Sequence, residues 1–342
     1  MKYFKLLIVL LIITSIAACT ANKSTIEPMP WGTPAAVTDN TTALLQNYTD
    51  SILVKGLLRS YLMHLPASYD KSRLWPLVIV LHGGGGEAKT MDPLTDFNAL
   101  ADKQGFVVVY PEAYKHLING PGLSQHWNDG RGEAGIRAQA ENIDDVAFIS
   151  ALIDHLVQNL SIDEKMVYAT GISNGALMSN RLGCELSDKI AAIAPVAGNI
   201  PQKTAPIWSP SRAISVLIIN GTEDPVMPFK GGDVSFLSVK TGKVLSVAET
   251  VKFWVSKVGC PAVPEIERLP HLNPNDSTST IAERYTGCRD GSEVVLYKVN
   301  GGGHTWPGGL QYMSEKLIGQ TSRDFSATET IWQFFKLHPM KH

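Results

Sequence analysis

The sequence has no excess of either charge and few of the motifs that hold metals. Its 342 residues carry 30 Lys and Arg against 32 Asp and Glu, a net charge of -2, so no basic surface is predicted for nucleic-acid phosphates. Neither H-E-x-x-H nor a C-x-x-C pair occurs, so no metal site and no cofactor are expected. Internal repeats are absent too. With 44% hydrophobic and 18% charged residues, the chain is an ordinary globular one.

The N-terminus has the features of an export signal. Two lysines precede an apolar run over residues 6–18, which is too short to span a bilayer comfortably. The run ends in Ile-Ala-Ala followed by Cys19, similar to the bacterial lipoprotein cleavage box, in which the cysteine is lipidated. We predict a signal peptide over 1–18 and a lipid-anchored flexible tether over 19–47, on the periplasmic side or the cell surface. The alternative is plain secretory cleavage near Ala18.

Three cysteines remain for the oxidising compartment if Cys19 is lipidated. Cys260 and Cys288 flank a polar stretch without core periodicity, which favours a bridge that closes this loop. On the chain-entropy model such a bridge contributes about 3.5 kcal/mol. Cys184 falls in a predicted helix and is expected to be a buried free thiol.

Short apolar runs alternate with amphipathic segments of helix length, which predicts an α/β domain over residues 48–342. The pattern is typical of a mostly parallel sheet with helices on both faces. A helix is predicted over 144–160, with Asp144 and Asp145 placed to cap its N-terminus. The predicted strands, after an antiparallel pair within 52–65, are 77–81, 106–110, 166–170, 191–196, 216–220 and 294–299.

Three motifs follow predicted strands, at the positions where open α/β sheets present reactive groups. The first is Gly171-Ile172-Ser173-Asn174-Gly175, between a strand and a helix. This is the setting of a nucleophile elbow, whose sharp turn leaves no room for a Cβ beside the exposed serine. The alternative is a plain glycine-rich turn. We predict Ser173 as a nucleophile.

An acid and a histidine follow two later strands. Asp224 lies in a turn stiffened by two prolines and is preferred over Glu223 and Asp233 as the acid that orients an imidazole. His304 follows three glycines, which let the backbone deliver it on a tight loop. Alone, the acid would more often be a solvated cap and the histidine a surface or core residue. Together they complete the order Ser, Asp, His that α/β-hydrolases use, with His304 as the base.

Four glycines follow His82 after the first of the parallel strands. In α/β-hydrolases an H-G-G-G loop supplies one backbone N–H to the oxyanion hole, and the residue after the nucleophile supplies another. We therefore predict Gly83 or Gly84 and Asn174 as oxyanion donors, with His82 as a structural residue. A phosphate-binding loop is not expected here, because this loop has neither G-x-G-x-x-G nor Gly-Lys-Ser/Thr.

Seven blocks in one order resemble the polyhydroxybutyrate depolymerase and feruloyl esterase family over about residues 50–340. The resemblance implies an α/β-hydrolase esterase with Ser173, Asp224 and His304 as its triad, and it also implies a disulfide between Cys260 and Cys288. The blocks are Leu81-His82-Gly83, Trp127-Asn128-Asp129-Gly130-Arg131, Asp144-Asp145-Val146-Ala147-Phe148, Gly171-Ile172-Ser173-Asn174-Gly175, Ile193-Ala194-Pro195-Val196-Ala197-Gly198, Gly221-Thr222-Glu223-Asp224 and Gly303-His304-Thr305-Trp306-Pro307-Gly308.

The sequence departs from this family in two ways. Many members carry His-Gly-Cys where this chain has His82-Gly83-Gly84. This chain therefore lacks the loop cysteine with which Cys184 would pair in such relatives. Secreted polymer depolymerases of the family also tend to carry a separate polymer-binding domain, whereas this chain ends at His342 after a final helix. Attack on insoluble polyester granules is therefore not expected.

The expected substrates are 3-hydroxybutyrate oligomers or related polyesters. The alternatives are feruloyl or acetylxylan esters, a peptidase or acyltransferase on the same fold, and a surface lipoprotein that only binds. Trp127 and Trp306 are expected at the pocket wall, where a flat apolar surface could hold a hydroxyacyl or cinnamoyl group, since Trp306 lies two residues from His304. For both, the alternative is a core tryptophan.

Overall fold

The described part of the chain comprises residues 46–115, 125–132 and 135–341 of a computed structural model. The predicted signal peptide, the predicted lipidation site Cys19 and nearly all of the predicted tether lie outside these residues. The first strand begins at Asn47, where the predicted tether ends. None of the helices within the described ranges is long and apolar enough to cross a membrane.

A ten-stranded sheet runs through the domain, and two further strands form a separate hairpin. The sheet order is β1-β2-β4-β3-β5-β6-β7-β12-β11-β10, and β8 pairs with β9. The six strands from β4 to β12 in this order are parallel, with antiparallel strands at both edges. The strands are β1 (Asn47–Val54), β2 (Leu57–His64), β3 (Trp75–Leu81), β4 (Val107–Pro111), β5 (Ile162–Ile172), β6 (Ala192–Val196), β7 (Ser215–Gly221), β8 (Gly232–Phe236), β9 (Val239–Val244), β10 (Glu265–Arg268), β11 (Ser279–Tyr285) and β12 (Val294–Asn300).

Helices cover both faces of the sheet, as the sequence predicts. In β3, Leu77, Ile79 and Leu81 pack on the side of the helices at 145–159, 174–185 and 247–258, whereas Val78 and Val80 pack on the side of those at 97–104 and 327–337. The strand is apolar throughout because both of its faces are buried. The helices are α1 (Met91–Thr95), α2 (Phe97–Gln104), α3 (Arg137–Ala140), α4 (Asp145–Asn159), α5 (Asn174–Glu185), α6 (Val247–Val258), α7 (Glu315–Ile318) and α8 (Ala327–Leu337).

Each predicted parallel strand overlaps an observed one, and the helix predicted over 144–160 is α4. The side chain of Asp144 accepts a bond from Ala147 N at 2.9 Å, which confirms it as the cap of this helix. The capping role predicted for Asp145 is wrong. Its carboxylate is buried and pairs with Arg59 Nη2 at 2.6 Å, while it also accepts a bond from Asn128 N at 2.7 Å.

Cys260 and Cys288 form a disulfide, as both the residue pattern and the family resemblance predict. The bridge joins the end of α6 to the segment before β12, 28 residues further along the chain. Cys184 is free and buried in α5, as predicted. Burial raises the pKa of its thiol, so a nucleophilic role is not supported.

Replacing Cys260 and Cys288 by serine should lower the free energy of unfolding by about 3.5 kcal/mol, because the open loop gains entropy in the unfolded chain. Activity should be retained, since the bridge lies before β12 and the predicted base, His304, follows that strand. Urea unfolding of both forms, with kcat/KM measured in parallel, tests this expectation. Equal stability would contradict it.

Candidate active site

Ser173 occupies the turn between β5 and α5, with backbone angles φ 58° and ψ -121°. A residue with a side chain rarely adopts this positive φ, so the turn is strained. Hydrogen bonds hold it there: Ser173 N donates to Val196 O at 3.0 Å, and Ser173 O accepts from Ala176 N at 2.9 Å. The serine therefore stands in a sharp turn beyond the end of β5, at the carboxyl edge of the sheet.

The two glycines around Ser173 are required by the close approach of β3. A Cβ on Gly171 would lie 2.6 Å from Leu81 O, and one on Gly175 would lie 2.3 Å from the same atom. Because a backbone oxygen cannot move aside cheaply, both positions exclude any side chain. The spatial reason predicted for the two glycines is therefore confirmed.

His304 and Asp224 are in direct contact. His304 Nδ1 lies 2.7 Å from Asp224 Oδ2, and both side chains are buried. The other oxygen of the acid, Oδ1, accepts bonds from Val226 N at 2.8 Å and Met227 N at 2.7 Å. The carboxylate is thus fixed by the backbone on one side and faces the imidazole on the other. By contrast, Glu223 is exposed and Asp233 forms an ion pair with Lys240.

Neighbouring strands carry this acid and this histidine to the same edge. β7 and β12 are parallel partners, and Glu223 N donates to Gly302 O at 3.0 Å just beyond them. The histidine is fixed at both of its backbone polar groups, because His304 N donates to Ile318 O at 2.5 Å and Tyr312 Oη donates to His304 O at 2.8 Å. Ser173 stands at the end of β5 on this same parallel edge.

The predicted oxyanion loop lies beside the serine. A Cβ on Gly83 would be 3.4 Å from Ser173 Cβ, whereas one on Gly84 would be 2.3 Å from His126 Nε2. The backbone at Gly83 therefore lies next to the predicted nucleophile, and the backbone at Gly84 lies next to His126. Asn174 is the first residue of α5, where a backbone N–H has no acceptor within the helix.

His82 is a structural residue, as predicted. Nδ1 lies 2.7 Å from Gly83 O, and Nε2 lies 3.1 Å from Ala113 N, so a neutral ring with its proton on Nδ1 satisfies both contacts. Burial lowers the pKa of His82 to about 4. The ring therefore stays uncharged at neutral pH and supports the predicted oxyanion loop through Gly83.

Acid should destabilise the fold through His82. Because its pKa is about 4 when folded and 6.5 in its ordinary state, the unfolded chain binds the extra proton between these values. The contribution of His82 to the free energy of unfolding is therefore fully present above pH 6.5, and it is lost as the pH falls towards 4. Burial raises the pKa of Glu112, 3.6 Å from His82 Nε2, which gives an opposite slope.

The measurement is the free energy of unfolding against pH for wild type and His82→Asn. The asparagine cannot titrate, and its amide can still donate to Gly83 O. The variant should lose less stability than wild type between pH 6.5 and 4. Parallel curves for the two proteins would show that His82 does not carry this dependence.

The assignment of Trp127 and Trp306 to the pocket wall is corrected, since both are fully buried. Trp306 Nε1 donates to Thr328 Oγ1 at 2.9 Å, and its ring meets Phe97 edge to face. Trp127 packs beside the ring of His82. Both are core tryptophans. No cluster of potential metal ligands occurs among the residues that the structure describes.

A mostly parallel sheet that presents a serine elbow, an acid and a histidine at its carboxyl edge defines the α/β-hydrolase class. The acetyl xylan esterase of Aspergillus awamori shares this fold with a TM-score of 0.51 at 13% identity, over 84% of this chain and 99% of that one. The family described as "Esterase PHB depolymerase" matches residues 59–230, and the chain belongs to it.

Relatives that span most of this chain include one from a bacterium and one from a fungus. The protein of Nocardia uniformis subsp. tsuyamanensis named "Putative esterase NocK" is 32% identical over 95% of this chain and 96% of that protein. Feruloyl esterase B of Piromyces equi is 28% identical over 248 residues, which are 72% of this chain but 42% of that protein. The protein is a carboxylic ester hydrolase, as the sequence predicts.

Proposed function

We propose that the protein is a serine esterase that works through an acyl-enzyme, with Ser173 as nucleophile, His304 as base and Asp224 as the orienting acid. The observation that carries this proposal is the 2.7 Å contact between His304 Nδ1 and Asp224 Oδ2 at the edge where Ser173 stands. Because Nδ1 donates to the acid, Nε2 is the nitrogen that can accept a proton.

The reaction begins as Ser173 Oγ attacks the ester carbonyl carbon and its proton passes to His304 Nε2. The backbone N–H groups of Asn174 and of Gly83 or Gly84 stabilise the oxyanion. The leaving alcohol takes the proton from His304 as the C–O bond breaks. Water, deprotonated by the same histidine, then attacks the acyl carbon, and His304 returns the proton to Ser173 Oγ as the bond to the acid breaks. Asp224 stabilises the imidazolium formed in each half-reaction.

For the acyl group, we propose 3-hydroxybutyrate oligomers or related polyesters, on the support of the family description. A second candidate is favoured by the names of the relatives: feruloyl esters, or acetyl esters of xylan. Both candidates use the same triad, so they differ only in the pocket that holds the acyl group.

We also propose that the enzyme is exported. The disulfide between Cys260 and Cys288 supports an oxidising compartment, and the predicted signal supports passage through a membrane. Anchoring through Cys19 would keep the domain at a membrane in the periplasm or at the cell surface. Metabolic labelling with palmitate tests this step, because a lipoprotein loses the label when Cys19 is replaced by alanine.

The experiment measures hydrolysis by the mature protein on 3-hydroxybutyrate oligomers, methyl ferulate, acetylated xylan and p-nitrophenyl acetate. Ser173→Ala is the blank, and a fluorophosphonate probe reports the reactivity of Ser173 without any assumption about the acyl group. The highest kcat/KM identifies the acyl class. Activity that persists in Ser173→Ala, or a wild type that the probe does not label, would overturn the proposed triad.

A further inference from the structure

Residues 125–131 contact both elements predicted to supply the oxyanion donors. On the side of the glycine loop, Gly85 N donates to Gln125 O at 2.8 Å, and Trp127 Nε1 donates to His82 O at 3.0 Å. On the side of the nucleophile, the backbone of Trp127 bonds with the side chain of Asn174. One short segment therefore joins two loops that arise from different strands, β3 and β5.

The side chain of Asn174 is completely engaged by this segment. Its Oδ1 accepts a bond from Trp127 N at 2.7 Å, and its Nδ2 donates to Trp127 O at 3.1 Å. The same Nδ2 donates to Asp129 Oδ2 at 2.6 Å. The residue is buried, so no water competes for these groups. They fix the first turn of α5, which carries the backbone N–H of Asn174.

Asp129 is a fully buried carboxylate with donors on both oxygens. Oδ2 accepts from Asn174 and from Arg131 Nη2, at 2.6 and 2.8 Å. Oδ1 accepts from Gln139 Nε2 at 2.9 Å and from Arg131 N at 3.0 Å. A buried charge with this many donors has one arrangement at low energy, so it holds its partners in place.

Arg131 ties this arrangement to the β8–β9 hairpin. Its Nη1 donates to Thr241 O at 2.6 Å and to Thr241 Oγ1 at 2.9 Å, while Nε and Nη2 face Asp129. The guanidinium is buried as well. The polar chain thus runs without a break from β9 through Arg131 and Asp129 to Asn174, next to the predicted nucleophile.

We infer that residues 125–131 position both oxyanion donors, with Trp127 and Asp129 as positioning residues for ester hydrolysis. The inference rests on the proposed function. Neither side chain touches the substrate in this scheme; each acts by holding a backbone N–H at the place where negative charge develops. A shift of about 1 Å in such a group can cost about 100-fold in rate, so the frame should act on kcat rather than on KM.

Asn174→Ala tests the inference directly, because alanine keeps the backbone N–H and removes only the bonds to Trp127 and Asp129. The matched control is Asn180→Ala, in the same helix. Asn180 is also buried and bonded to a tryptophan, since Trp254 Nε1 donates to its Oδ1 at 2.9 Å. We expect kcat to fall by about 10- to 100-fold in Asn174→Ala and by less than about 2-fold in the control, with KM unchanged.

Trp127→Phe provides a second test on the other donor, with Trp254→Phe as its control. Each change removes one buried indole bond, at 3.0 Å to His82 O and at 2.9 Å to Asn180 Oδ1 respectively. Thermal midpoints should fall to a similar extent in both variants. Trp127→Phe should lose kcat, whereas Trp254→Phe should not. Asp129→Asn should lose kcat as Trp127→Phe does.

A trifluoromethyl ketone, which forms an oxyanion on the serine, separates positioning from general damage. Its Ki should rise in Asn174→Ala by the same factor as kcat falls, whereas Asn180→Ala should leave it unchanged. Equal Ki values in these folded variants would overturn the inference. Failure of a fluorophosphonate to label wild-type Ser173 would overturn the proposed function instead, so the two failures are distinguishable.

Discussion

Replacing Ser173 by alanine should lower kcat by about six orders of magnitude, because the attacking oxygen and its transferable proton are both lost. KM for a soluble ester should stay nearly constant, since the oxyanion loop and His304 remain in place. The measurement is initial-rate hydrolysis of p-nitrophenyl acetate at enzyme concentrations high enough to bound the residual rate. A loss of less than about 100-fold would show that another group performs the attack.

Ser173→Gly is the informative companion to this variant. The serine has φ 58° and ψ -121°, a conformation that costs a residue with a Cβ about 1 to 3 kcal/mol. Glycine adopts positive φ freely, so Ser173→Gly should be more stable than Ser173→Ala by about 1 kcal/mol. Both variants should be inactive. A glycine variant that is less stable than the alanine variant would contradict the strain at this turn.

The central strands could be predicted because a strand buried on both faces has a continuous apolar sequence. Residues 77–81 and 216–219 are short continuous apolar runs, and both lie within buried strands of the sheet. The edge strands β10 and β11 contain no continuous apolar run. β10 is exposed along its whole length, and the polar residues of β11 stand in adjacent pairs rather than at alternate positions, so their sequences resemble loops. β10 is a strand because it pairs with β11, and β11 pairs in turn with β12, the next strand along the chain.

The site was predictable to the extent that topology determines it. Ser173, Asp224 and His304 each follow a parallel strand, so their placement at one edge follows from the strand assignment alone. The direction of a side chain in a loop does not follow in this way. Trp306 is two residues from His304, yet its indole points into the core between Phe97 and Thr328. Loops lack the fixed periodicity that gives direction in strands and helices.

The buried polar network was missed for a related reason. Asp129 and Arg131 belong to a block that carries the family resemblance, but nothing local in the sequence tells a buried carboxylate from a solvated one. Its partner Asn174 is 45 residues away. One signal was available: the block has an acid and an arginine two residues apart beside a tryptophan, a spacing that allows a buried pair. The partners still depend on tertiary packing.

Asp224→Asn should lower kcat by about 10⁴-fold although the change adds and removes no volume. Oδ1 of Asp224 accepts two backbone bonds, from Val226 N and Met227 N, whereas Oδ2 faces His304 Nδ1. The amide oxygen of asparagine should therefore take the backbone side and leave its NH₂ facing His304 Nδ1. The imidazole must then accept at Nδ1 and carry its proton on Nε2, the tautomer that cannot take the proton of Ser173.

Asp276→Asn is the matched control for this substitution. Asp276 is also a buried carboxylate whose Oδ1 accepts a backbone bond, from Thr278 N at 2.8 Å, and none of its hydrogen-bond partners is a histidine. If the loss came from removing a buried charge, both variants would lose kcat together. If it comes from the tautomer, only Asp224→Asn loses kcat, and fluorophosphonate labelling of Ser173 slows with it. Activity that survives in Asp224→Asn but falls in Glu223→Gln would assign the orienting acid to the neighbouring residue.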